Sequence, residues 1–183
     1  MILWRVFPDG TTAAAGDPGG PLWFPREHQG GARHDNPDAY GCLYVSERGA
    51  SAVAEALAPF RGRGALRGAM LHRAGLPLSL AELELREPAV LVDLDEPRTL
   101  EEAGLRPSRV ATRRRDVTQA DALRLYRDDP RAAGLRWWST IEASWLNLTV
   151  FDRARRRLRV RAIEPLTVEH GTVVEAAGAI GLA

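Results

Sequence analysis

The chain contains no lysine; every one of its 25 basic residues is arginine. A GC-rich coding sequence accounts for that bias, and its chemical consequence is firm. Neither a Schiff-base lysine nor a P-loop lysine can operate here. Cysteine is almost as scarce: Cys42 stands alone, so an internal disulfide is impossible. A single thiol beside a glycine is expected to be packed rather than reactive, in a reducing compartment. The four histidines lack zinc-ligand spacing and no HExxH occurs, so no metal site is expected. Neither GxGxxG nor a Walker A loop is present, which argues against Rossmann and P-loop nucleotide sites. No GxSxG elbow surrounds Ser139 or Ser144, so a hydrolase-type nucleophilic serine is not expected. No apolar run approaches the roughly 18 residues of a membrane span. The opening MILWRVFPDG is also too short in apolar residues for a signal peptide. A cytoplasmic protein without membrane contact is the expectation. The net charge of +1 gives no global basic footprint for direct nucleic-acid binding.

What is there fits one α+β domain over residues 1–183, since a chain this long buries about 70% of its unfolded surface. Strands are expected at Leu3–Phe7, Cys42–Ser46, Leu76–Leu85, Ala89–Leu94 and Trp145–Phe151. AVLVDL is apolar enough to be central in a sheet. Leu158, Val160 and Ala162 share one face of a further strand, with Asp152–Arg156 expected as a hairpin connection. Thr172–Glu175 reads as a last short strand. Ser51, Thr99 and Thr118 are expected to cap short helices. Strands outnumber helices, so a mixed β core with short helices is favoured over a doubly wound fold.

Several residues invite a functional reading. The loop before Asn36 carries Arg26, His28, Arg33 and His34, and loops on a rigid scaffold often hold ligands. Glu55 lies off the apolar stripe of its helix, with no basic residue three or four positions away. That pattern fits an exposed surface glutamate or a carboxylate facing an open cleft. The runs Arg113–Arg115 and Arg155–Arg157 read as solvated segments beside turns, although phosphate contact is the alternative. Trp137, Trp138 and Trp145 read as core packing, with ring stacking on a ligand as the alternative.

The segment QGGARHDNPDAYGCLYVSERGASAVAEAL and the later GLRWWST together resemble the RES domain, a family named for its arginine, glutamate and serine. The similarity covers the motif-bearing stretch from about residue 24 to residue 151. The family's arginine falls on Arg33 in GARHDN, its tyrosine on Tyr44 in LYVS and its glutamate on Glu55 in AVAEAL. Its serine falls on Ser139 in GLRWWST, followed by Asn147 in NLTVF. The resemblance implies an ADP-ribosyltransferase-like fold around a NAD cleft. It also implies an enzyme that cleaves NAD by phosphorolysis or hydrolysis, with inorganic phosphate as a co-substrate in the first case and no bound cofactor. Such proteins are often toxins paired with a Xre-type helix-turn-helix antitoxin. Protein ADP-ribosylation in the same cleft, or a silent nucleotide- or partner-binding module, are the alternatives.

The chemistry suits these residue types. Loss of nicotinamide leaves positive charge on the ribose, which a carboxylate such as Glu55 can stabilise. Arg33 would offer a fork of donors to the diphosphate. Tyr44 would present a ring face and a hydroxyl, Ser139 a hydrogen bond to phosphate, ribose or the attacking group, and Asn147 support for the cleft wall.

Overall fold

The computed structural model describes residues 1–182, and among them eight strands form one mixed sheet. In chain order the elements are β1 (Ile2–Pro8), β2 (Cys42–Ser46), α1 (Gly49–Leu57), β3 (His72–Arg73), β4 (Leu76–Leu85), β5 (Val90–Asp93), α2 (Pro97–Glu102), α3 (Pro107–Ala111), α4 (Arg115–Asp128), β6 (Ala132–Trp138), β7 (Leu146–Phe151), β8 (Leu158–Pro165) and α5 (Gly171–Ile180). The strands lie in the order β3-β4-β1-β2-β7-β6-β5, with β8 paired to β4. All pairs are antiparallel except β5 with β6, which the helical crossover α2–α4 makes parallel. The α+β class with short helices is what the sequence pattern leads one to expect.

The sheet's central pairing sets the site. Ser46 on β2 stands opposite Asn147 on β7, which stands opposite Trp137 on β6. Two residues along, Tyr44, Thr149 and Leu135 form the next row. Side chains alternate faces along a strand, so both rows project to one side. Toward that side α1 and α5 bury Val53, Leu57, Val173, Ala176 and Ile180 in one cluster. Farther along, α2–α4 bury Leu100, Val110 and Leu125 with Leu135 and Trp137 in another. The opposite face buries Leu43, Leu148 and Val150 under Phe24, Ala154 and Leu158. β1 and β2 register only at Trp4 opposite Ser46. Beyond that point the strands part, between Val6 and Tyr44.

Several local expectations are corrected. Ser51, Thr99 and Thr118 lie inside their helices, which begin at Gly49, Pro97 and Arg115. In α2 a proline at the first turn starts the helix two residues before Thr99. Ser51 and Thr118 spend their hydroxyls on tertiary bonds instead, to Asn147 Oδ1 and to the Arg33 carbonyl. Thr172–Glu175 is helical: Val173, Ala176, Ala177 and Ile180 are buried at helical spacing, a period that a four-residue window cannot display. β5 is an edge strand, not a central one, because its parallel crossover delivers it to the outside of β6. Asp152–Arg157 forms a 3-10 segment instead of a hairpin turn, and it carries β8 across the sheet to pair with β4.

Candidate active site

Where β1 and β2 part, a cavity of about 360 Å³ opens beneath α1. Its wall includes Arg33 from the loop, Tyr44 and Ser46 from β2, Glu55 from α1, Trp137 from β6 and Asn147 from β7. Four of the five residues singled out in the sequence, Arg33, Tyr44, Glu55 and Asn147, therefore share one cavity. The fifth, Ser139, is not on the wall. It is 2% exposed and lies behind Glu55.

The α1 glutamate is held in a definite orientation. Ser139 Oγ donates to Glu55 Oε1 at 2.8 Å, and Asn147 Nδ2 donates to the same oxygen at 3.0 Å. Oε2 has no protein partner among the described residues. Asn147 is itself fixed, because Ser46 Oγ and Ser51 Oγ donate to its Oδ1 at 2.6 and 2.9 Å. Ser139 Oγ also accepts from the Ile141 backbone N–H. The carboxylate is thus braced by β7, by the turn after β6, and through Asn147 by its own helix.

Arg33 is 6% exposed. Its Nη1 donates to the carbonyls of Val110 and Thr112 at 2.6 and 2.9 Å, at the end of α3. Its guanidinium carbon lies 5.0 Å from the centre of the Trp137 ring, a cation–π arrangement. Burial lowers its pKa, and the nearby Arg115 charge adds to that, while Glu55 and Tyr44 oppose it. The next residue, His34, is buried behind it. Burial, then the charges of Arg33 and Arg115, push its pKa down to about 3, so the ring is neutral. Its Nδ1 lies 2.8 Å from Thr149 Oγ1, which also accepts from Trp137 Nε1 at 3.2 Å.

Tyr44 is tied by its hydroxyl. It donates to Asp35 Oδ1 at 2.7 Å and accepts from the His34 backbone N–H at 2.9 Å. Burial, then the neighbouring Cys42 and Asp35, raise its pKa well above the ordinary phenol value, so it stays neutral. With its proton committed to Asp35, Tyr44 offers the cavity mainly its ring. Asp35 Oδ2 accepts from the backbone N–H groups of Gly30 and Ala32, at 2.9 and 2.7 Å. One buried carboxylate therefore joins β2 to the loop that delivers Arg33. Cys42 is buried and donates weakly to Asp35 Oδ1 at 3.5 Å. Burial, with Asp35 next, raises its thiol pKa far above the usual range, so it stays protonated.

Three further residues line the wall; for Trp137 and Arg115 ligand contact is only the alternative reading of the sequence, and for Arg73 the sequence offers none. Trp137 sits in GLRWWST, where core packing is the ordinary expectation, yet it both packs and faces the cavity. Arg73 comes from the short edge strand β3, and no local pattern marks it. Arg115 belongs to a charge run whose other members face solvent. Its distinguishing feature is position, as the first residue of α4 beside the Arg33 loop.

No curated protein matches the chain in sequence. In structure it is similar to a chain of the M. tuberculosis MbcT–MbcA toxin–antitoxin complex, with a TM-score of 0.67 at 17% identity. The superposition covers 95% of this chain and 86% of that one. At that identity the likeness speaks for the fold. The RES domain profile matches residues 2–173, nearly the whole length, and the chain belongs to the RES domain family.

Proposed function

We propose that this protein cleaves the bond between nicotinamide and ribose in NAD, passing the ADP-ribosyl group to phosphate or water. The observation that carries this reading is the state of Glu55. Both of its protein hydrogen bonds fall on Oε1, Oε2 has no partner among the described residues, and Glu55 lines a cavity that also holds a buried arginine and two aromatic rings. A carboxylate anchored on one oxygen and open on the other is suited to a ribosyl cation. Departure of neutral nicotinamide needs no acid, so stabilising the positive charge that develops on the ribose is the main task. Ser139 and Asn147 hold the carboxylate in place before the reaction begins, which lowers the reorganisation required. Arg33 would take the diphosphate, and Tyr44 or Trp137 would stack on a ring. Ser139 acts in this scheme through Glu55, as a positioning residue.

The likeness to a toxin–antitoxin complex supports a second element of the proposal. The protein would be a toxin acting on cytoplasmic NAD, restrained by a partner antitoxin of the Xre helix-turn-helix type that covers the cavity. The decisive experiment is purified protein with NAD, with and without inorganic phosphate, followed by mass spectrometry. Nicotinamide with ADP-ribose-1″-phosphate, formed only when phosphate is present, identifies a phosphorylase. ADP-ribose in both reactions identifies a glycohydrolase. Label transferred to a protein instead identifies an ADP-ribosyltransferase, and binding without any turnover refutes the enzymatic reading.

A further inference from the structure

Arg115 stands on the cavity wall with Arg33, and among the described residues no hydrogen bond or ion pair engages its guanidinium. The carboxylates nearest in sequence are already committed. Asp116 is paired with Arg114 at 2.6 Å, and Asp121 with Arg109 at 2.8 Å. Arg115 is also the first residue of the 14-residue helix α4, whose N-terminus has no side-chain cap. The positive end of the helix dipole therefore adds to its charge.

Arg33 is only half satisfied. Its Nη1 carries both protein hydrogen bonds, whereas Nε and Nη2 have no acceptor. They are not sealed in the core, because the one fully buried, unpartnered side-chain nitrogen or oxygen among the described residues is Arg153 Nε. The small exposed part of Arg33 opens on the cavity. Arg33, Arg73 and Arg115 line that space against a single carboxylate, Glu55. Arg115 lies close enough that its charge adds to burial in lowering the pKa of Arg33, and the two arginines together add to burial in lowering that of His34. Two guanidinium groups sharing one cavity, one unpaired and the other half satisfied, are stabilised when an anion of matching geometry enters.

We propose that Arg33 and Arg115 form a clamp for a phosphate group at the α4 end of the cavity. Phosphate is the fitting class because its tetrahedral array of charged oxygens can accept from two guanidinium forks at once. The group could be the diphosphate of a dinucleotide or free inorganic phosphate; the chemistry of recognition is common to both. The clamp deepens the reading of this cavity as a NAD site and rests on it for the dinucleotide source. It is nonetheless measurable without turnover.

The test is calorimetric titration of the full chain with ADP-ribose and, separately, with inorganic phosphate, for the wild type, Arg115→Gln and Arg115→Lys. Arg115 is exposed, so neither substitution should shift the thermal unfolding midpoint without ligand. Losing a charge-assisted contact should weaken binding by about tenfold or more in Arg115→Gln, with Arg115→Lys intermediate. Weakening for ADP-ribose alone supports the clamp with the diphosphate as its occupant. Weakening for phosphate alone supports it with the free ion. Unchanged affinity for both ligands in Arg115→Gln overturns the clamp, as does the absence of binding by the wild type. NAD turnover assayed on the same wild-type sample separates the two ideas. Turnover without an Arg115 effect removes the clamp and spares the NAD reading; an Arg115 effect without turnover does the reverse.

Discussion

Glu55 has a divided carboxylate, one oxygen bonded to the protein and the other without a partner among the described residues, on a side chain that lines the cavity, and this makes its chemistry separable from its packing. Glu55→Gln keeps the size and a carbonyl for Ser139 and Asn147 while removing the charge. It should leave the fold intact and lower NAD turnover by about 10²–10³, the usual effect of losing one transition-state contact. Ser139→Ala removes one of the two donors to Oε1 and leaves the charge, so its loss in kcat should be smaller, with KM little changed. A folded Glu55→Gln protein with near-normal turnover, measured by nicotinamide release, would refute the assignment. At this scale local pattern brings a residue to notice without assigning it. Glu55 departs from the apolar stripe of α1 and Arg33 shares its loop with Arg26, His28 and His34, and the resemblance to the RES domain is what singles out the two. Ser139 is different: its sequence surroundings reveal a polar residue after two tryptophans, but not whether the hydroxyl faces ligand or glutamate. Arg115 looks like its neighbours Arg113 and Arg114, and only the placement of α4 beside the loop sets it apart.

At the scale of elements, the strands were easier to read than their order. Cys42–Ser46 and Leu76–Leu85 carry their own signals in runs of apolar residues, and both form strands with those limits. That β7 inserts between β2 and β6 depends on pairings more than 100 residues apart, which no window of sequence contains. The helix starts are hidden from the sequence for a related reason. Ser51 and Thr118 have the composition of caps, but their hydroxyls are drawn into tertiary bonds that outweigh the local preference. The pairing of β6 and β7 rests on one small residue. A Cβ on Gly134 would stand 2.4 Å from the Thr149 carbonyl oxygen and 3.1 Å from the Val150 Cα. Both obstacles are backbone, so the strands themselves would have to move. Gly134→Ala should destabilise the protein by about 1–3 kcal/mol, the usual cost of overpacking. Chemical denaturation checks this, and an unchanged midpoint would mean that β6 can shift without cost. Since Asn147 lies on β7, turnover should fall in the same variant.

For the molecule as a whole, the burial of His34, reinforced by the arginines at the cavity, leaves a signature in its response to pH. His34 is buried behind Arg33, and its pKa falls from 6.5 to about 3. Above pH 6.5 the ring is neutral in both folded and unfolded chains and contributes no slope. Between pH 6.5 and 3 the unfolded chain binds a proton that the folded protein refuses. Stability from this group should therefore decline with falling pH by up to about 1.4 kcal/mol per unit, levelling off below pH 3. Urea unfolding at pH 7.5 and pH 5.0 measures the effect, and His34→Gln should flatten the slope relative to the wild type. Equal slopes in the two proteins would show that other groups carry the acid sensitivity. The α+β class was legible at this scale because it needs only the proportions of strand and helix. The cavity was not, because it exists where β1 and β2 part, and parting is a property of two strands together.

The late arrival of β7 has a consequence for the cell that makes this protein. Ser46 and its partner Asn147 are 101 residues apart in the chain. At a synthesis rate of about 5–20 residues per second, roughly 5–20 s pass between the two. During that interval β2 has no neighbour on its inner side, Glu55 lacks both of its donors, and Arg33 lacks the carbonyls of α3 for much of the time. A growing chain therefore cannot assemble the braced Glu55 carboxylate until β7 has been made.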